Sequence, residues 1–177
     1  MTHSHPFITH WYHFCPRCKA DLKFEQYSVS CTECEFAFYL NPAPCVTVVI
    51  EHEDKILLGK RAIEPRKGLW NFVGGFVDIN ETAEQAAYRE VKEEVDISVE
   101  IIDQLGETMP DTYDEYLFPT LTFIYVAKPL ELSIQAQDDV AELVWIKPED
   151  VDLNTVAFDN DREALRRYQT YKKEHHE

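Results

Sequence analysis

Apolar positions along this chain come first in short β-branched runs and later in a helical rhythm. Val46-Thr-Val-Val-Ile50 followed by Glu51 predicts a strand over 46–51, and Lys55 to Arg61 its hairpin partner. Leu69 to Val73 predicts a further strand ending at the pair Gly74-Gly75, and the stretches 97–107, 121–127 and 143–146 alternate or run apolar as later strands should. Ala87, Val91 and Val95 form the apolar stripe of an amphipathic helix, and Thr82 with Gln85 fits the capping box that starts one. A short helix is predicted at Pro148 to Val151. A last one is predicted over 162–173, capped by Asn160 or Asp161, with Leu165, Tyr168 and Tyr171 packing on the sheet. Strands interrupted by two long helices predict an α/β fold, an α/β/α sandwich around a mixed sheet.

Composition changes this picture only in part. Hydrophobic residues make up 45% of the 177 positions, enough for a core, and no apolar stretch approaches the ~20 residues that cross a bilayer. The start Met-Thr-His-Ser-His-Pro carries neither a basic leader nor an apolar segment, so the reducing cytoplasm is the expected compartment. The formal net charge of −16 argues against broad attachment to nucleic acid, because long polyanions are repelled. A small anionic substrate can still enter with a metal ion, and Lys60, Arg61, Arg66 and Lys67 cluster where local cations would help it. Those four serve equally as a solvated hairpin edge. His3, His5, His10 and His13 are spaced loosely near a terminus, which predicts a flexible, exposed tail rather than a metal site.

Cysteines divide the chain. Cys15-Pro-Arg-Cys18 and Cys31-Thr-Glu-Cys34 are two Cys-x2-Cys pairs separated by twelve residues, the pattern of a four-thiolate zinc ribbon. Disulfides and a redox pair are the alternatives, and neither suits a chain without a secretory signal that carries two such pairs. Cys45 opens an apolar run and reads as a small core residue. A ribbon within residues 1–40 buries too little to stand without a metal, and Asn41-Pro42-Ala43-Pro44 forms a joint to a second domain over 41–177.

The strongest pattern is acidic. Gly75, Glu81, Arg89, Glu90, Glu93 and Glu94 stand at fixed intervals, and at about 100° per residue the last three carboxylates share one sector of the helix. Crowded like charges ask for a cation, and hard oxygen donors suit magnesium or manganese; a solvated acidic face is the plain alternative. The spacing resembles the Nudix box, Gly-x5-Glu-x7-Arg-Glu-U-x-Glu-Glu-x-Gly-U, with U a bulky aliphatic residue, and departs from it only at Asp96, where the pattern has Gly. Asp is among the few residues that tolerate the left-handed turn expected there.

The resemblance implies a Nudix fold and hydrolysis of a nucleoside diphosphate linked to another group, by water activated on Mg2+ or Mn2+. It also implies Glu90 and Glu94 as principal metal ligands, Glu93 as a further ligand or the base, the Gly75 carbonyl as a backbone ligand, and Glu81 with Arg89 as an ion pair that orients the loop. In some relatives the base comes from a later loop, for which Glu142 is the candidate here. A ribbon followed by this box resembles the NADH pyrophosphatase branch, but that branch's Ser-Gln-Pro-Trp-Pro-Phe-Pro-x-Ser motif is echoed only by Phe118-Pro119. ADP-ribose, a nucleotide sugar, a flavin dinucleotide and a reduced nicotinamide dinucleotide therefore all stay open. Tyr113, Tyr116 and Phe118 can stack on a base or pack a sheet edge, and Arg61 and Arg66 are candidates to contact substrate. The competing class is a non-catalytic nucleotide sensor whose ribbon binds a partner; retention of every acidic box position favours the enzyme. Nudix relatives often pair, so a homodimer is compatible with the sequence.

Overall fold

The computed structural model describes residues 4–108, 111–113 and 118–175, which form two compact parts. Residues 1–42 and 112–119 belong to the first and residues 43–111 and 120–177 to the second.

In the first part, α1 (Pro6–Trp11) precedes a three-stranded antiparallel sheet of β1 (Leu22–Phe24), β2 (Ser28–Cys31) and β3 (Ala37–Tyr39). The stretch expected to be a loose histidine tail thus holds a short helix, whose cap His5 accepts a hydrogen bond from Phe7 N–H on its ring nitrogen. It forms because Ile8 inserts fully into the interior and Pro6 supplies the fixed first turn. Among the described residues of this part only Ile8, Cys15 and Val29 are buried. That is far too little apolar burial to offset the conformational entropy of ordering the segment.

The second part has an ample core. Its main sheet runs β10 (Val140–Ile146), β5 (Lys55–Arg61), β4 (Ala43–His52), β9 (Pro119–Pro129), β7 (Val99–Glu107), with β6 (Trp70–Asn71) on β5, and β8 (Asp111–Thr112) lies where the two parts meet in sequence. Within this path β4 and β9 are parallel and the other pairs antiparallel. Helices cover both faces. Val46, Val48 and Ile50 of β4 face α2 (Ala83–Val95), against Ala87, Val91 and Val95, while Val49 joins Ile124, Val126, Leu165 and Tyr168 beneath α3 (Asp159–His175). A strand covered twice needs apolar residues at every position, which is why 46–50 reads as a run rather than an alternation. The sandwich has the architecture the pattern of elements predicts.

Several elements differ in extent: β4, β9 and α3 run past both expected ends, so Asn160 and Asp161, expected as caps of the last helix, lie inside α3. The strand expected over 69–73 is only Trp70–Asn71; after it the chain bends, yet Val73 and Gly75 carbonyls still accept from Val48 and Val46 N–H at 2.8 Å each. The helix expected at 148–151 is a single 3-10 turn, Pro148–Asp150. On the α3 face the buried Glu51 carboxylate accepts from Tyr168 Oη at 2.6 Å and pairs with Lys172 at 3.0 Å, and burial, reinforced by Glu51, holds the Tyr168 hydroxyl well above its ordinary pKa.

Gly74 shows why the bend demands glycine. Its φ is +151°, and a Cβ there would sit 2.1 Å from the Val46 carbonyl oxygen. Gly74→Ala should therefore cost upwards of ~3 kcal/mol, read as a fall in the urea midpoint at unchanged slope. Gly68→Ala is the control: its φ is +85° but nothing lies within 4 Å, so about 1 kcal/mol is expected.

Candidate functional site

Helix α2 begins where the sequence says it should. Thr82 accepts from Gln85 N–H at 3.2 Å and the Gln85 side chain accepts from Thr82 N–H at 2.8 Å, closing the capping box. It ends at Asp96, left-handed at φ 54°, whose N–H returns to the Lys92 carbonyl at 3.2 Å. The position where the box pattern has Gly is thus a helix C-cap, and the Asp is further held by its ion pair with Lys92 at 2.5 Å.

Burying Ala87, Val91 and Val95 turns the carboxylates toward the bend at Gly74-Gly75. Glu94 is only 8% exposed and accepts from Gly74 N–H at 3.3 Å. Burial, then the neighbouring charge of Glu90, push its carboxyl up to about 8. Glu90 is raised too, first by burial, and it approaches Gly75 so closely that a Cβ there would lie 2.5 Å from its Oε1. Gly75 is needed for this approach rather than for its backbone angle. Its carbonyl accepts from Val46 N–H at 2.8 Å, which leaves one lone pair.

Arg89 ties the loop to the helix. Its Nη2 donates to Glu81 Oε1 at 2.7 Å and to the Phe76 carbonyl at 2.9 Å, and its Nε to Glu81 Oε2 at 3.2 Å. Glu81 Oε1 also accepts from Asp78 N–H at 2.7 Å, so the Arg89 guanidinium and this amide hold its carboxyl below the usual range. The same guanidinium reaches Glu90 at 2.8 Å and Glu93 at 2.9 Å.

The site gathers the buried Glu94, the largely covered Glu90, the half-exposed Glu93 and a glycine carbonyl, a hard oxygen set that fits Mg2+ or Mn2+. The oxygens are not drawn together as closely as the thiols. Among the described residues, the group of three or more candidate donors lying within 4.8 Å of one another is Cys15, Cys18, Cys31 and Cys34. Cys15 and Cys34 sulfurs are 3.7 Å apart and those of Cys18 and Cys31 3.4 Å, near the ~3.8 Å edge of a tetrahedron with ~2.3 Å Zn–S bonds. All five cysteines are free thiols, which excludes the disulfide alternative here, and the set fits a four-thiolate zinc ribbon. Cys45 is buried, with its thiol pushed up to about 12 by burial and by Glu90.

The remaining candidates lie in different places. Glu142 sits on β10, paired with Lys60 of β5 at 3.3 Å, and Lys60 lies over the Trp70 ring. Arg61 and Arg66 stack their guanidinium groups on Phe158 at 5.0 Å each. Both also brace loops, Arg61 through Pro65 O at 2.7 Å and Arg66 through the Ala157 carbonyl. One terminal nitrogen of Arg61 is buried without a hydrogen-bond partner among the described residues. Tyr113 and Phe118 belong to the first part, where Phe118 packs on Phe7 at 5.1 Å; Tyr116 lies outside the described residues. The sequence reading missed Asp139, whose charge raises Glu94 while Arg61 lowers it, and Phe158 as the platform for two arginines. No spacing in the chain announces either, because strand pairing brings β5 and β10 to the site from distant sequence.

Comparison with known proteins agrees with this fold. The NUDIX domain model matches residues 41–168, and the chain belongs to that family. An ADP-ribose pyrophosphatase of Methanocaldococcus jannaschii is 33% identical over 132 residues, 72% of this chain and 74% of that protein. The NAD-capped RNA hydrolase NudC of Vibrio vulnificus is 36% identical over 101 residues, 56% of this chain. The chain covers only 38% of that relative's length. A crystal structure of a NUDIX hydrolase from Nitrosomonas europaea superposes with a TM-score of 0.71 at 28% identity, covering 92% of each chain. Among the described residues, no helix is long and apolar enough to cross a membrane.

Proposed function

We propose that this protein is a pyrophosphohydrolase that uses Mg2+ or Mn2+ to cleave a nucleoside diphosphate linked to another group, releasing two phosphate monoesters. The observation that carries this reading is Glu94, a carboxyl buried beside Glu90 and the Gly74-Gly75 bend at an energetic cost that a bound divalent cation would relieve. Such an ion supplies a Lewis acid for the pyrophosphate oxygens and a water of lowered pKa. Glu90, Glu93, Glu94 and the Gly75 carbonyl are the residues that would hold it. Glu81 and Arg89 keep the loop that carries Gly75 against the helix that carries the three carboxylates. In this reading Glu93, 48% exposed and with one oxygen free of Arg89, accepts the proton of the attacking water, and Glu142 is the second candidate for that role. Arg61 and Arg66 supply positive charge for the substrate's phosphates. The four-cysteine cluster holds a structural zinc ion. The unbroken set of acidic residues supports catalysis over the sensor reading.

The relative matched over most of its length is named for ADP-ribose, which puts that compound first among substrates. The test is a panel of ADP-ribose, nucleotide sugars, FAD, NADH and NAD-capped RNA with Mg2+, products identified by mass. Release of a nucleoside monophosphate from at least one member is expected, and no hydrolysis across the panel, with binding retained, would instead favour the sensor.

A further inference from the structure

We propose that Arg89 is a built-in counter-charge that competes with the divalent cation for Glu90 and Glu93, and so sets how tightly that cation is held before substrate arrives. The inference rests on the reading of the α2 carboxylates as cation ligands. One guanidinium spends Nε and Nη2 on Glu81 and the Phe76 carbonyl and gives Nη1 to Glu90 Oε1 at 2.8 Å and Glu93 Oε2 at 2.9 Å. Both Glu81 oxygens are consumed, one by Arg89 together with Asp78 N–H, so Glu81 is an anchor and not a ligand. Glu90 Oε2 and Glu93 Oε1, by contrast, have no hydrogen-bond partner among the described residues. Each of these two carboxylates is split between the arginine and whatever cation arrives.

Charge gives the consequence. Glu81, Glu90 and Glu93 together carry three negative charges, and Arg89 removes one of them at hydrogen-bond distance. The tether to Glu81 keeps the guanidinium beside the carboxylates even when Nη1 yields, so its charge persists in the site and repels the incoming ion. Weak holding of the free ion favours its arrival with the substrate's own phosphates, which add the negative charge the site lacks.

Two substitutions separate charge from shape. Arg89→Gln removes the charge, while Arg89→Lys keeps it and loses the fork. Mn2+ binding to the zinc-loaded protein, read from the free-ion signal by electron paramagnetic resonance without substrate, should tighten at least tenfold in Arg89→Gln and stay level or weaken in Arg89→Lys. Weaker binding in both variants, or equal binding in all three proteins, overturns the proposal and leaves Arg89 a loop brace. Failure of the parent to bind Mn2+ at all would instead strike the reading of the carboxylates as ligands, and the counter-charge role with it. Should Arg89→Gln fail to melt cooperatively, Mg2+ titration of the 15N-arginine-labelled parent decides the matter. The Arg89 Nη resonances shift as Nη1 is displaced, and their constancy at saturating Mg2+ overturns the proposal.

Discussion

Glu94→Gln is expected to cut turnover by three or more orders of magnitude while making the protein harder to unfold in magnesium-free buffer. Loss of one oxygen ligand from a cation site removes transition-state stabilisation of that size without touching the apolar stripe of α2. The stability gain follows from linkage. The folded-state pKa of Glu94 lies near 8, above the ordinary carboxyl value, so between these two the folded protein holds a proton that the unfolded chain has released. Stability contributed by that proton is fully present below the ordinary value and is lost as pH rises toward about 8. At roughly 1.4 kcal/mol per unit the cost reaches a few kcal/mol at pH 8. The amide escapes it and keeps the hydrogen bond from Gly74 N–H. Urea denaturation should show the variant about 2 kcal/mol more stable than the parent at pH 8, with the difference gone near pH 5. Added Mg2+ should stabilise the parent and not the variant. A variant that turns over as fast as its parent, or is no more stable at pH 8, would remove Glu94 from the site.

Cys34→Ser carries the second large effect. Among the described residues of the first part only Ile8, Cys15 and Val29 are buried, too small an apolar core to fall back on, and a structural zinc ion contributes on the order of 10 kcal/mol of folding free energy in small domains. Elemental analysis should fall from one zinc per chain toward none, and amide exchange over α1 and β1 to β3 should become that of an unfolded segment. The second part, with two apolar layers of its own, should keep its protection. Zinc-free parent protein with unchanged exchange over residues 4–40 would defeat the assignment.

The cysteine cluster and the carboxylate cluster were legible to different degrees. The four cysteines lie close along the chain in two tight pairs, so spacing alone indicates that their sulfurs converge. The box likewise is local: Gly75 to Ile97 is one loop and one helix, and the capping box, the left-handed Asp96 and the Glu81–Arg89 pair all follow from intervals within it. The partners of the site were not legible. Asp139 and Arg61 act on Glu94, and Phe158 carries two arginines, only because β10 lies against β5 and the start of α3 lies near the loop after it. The α1 helix escaped notice because six residues are too few to show a period, and it is held by one buried side chain, Ile8.

The amino-acid order alone thus determined the family's box, the cysteine cluster and the capped helix, since residue spacing, helix capping and apolar periodicity act over a few residues and need no distant partner. Only the tertiary structure decided how those residues are charged and occupied. Burial that lifts Glu94, and the sharing of one guanidinium among Glu81, Glu90 and Glu93, depend on which groups the packed sheet and bend exclude from water. Electrostatics at such distances is set by the whole surrounding fold, and no stretch of sequence contains it.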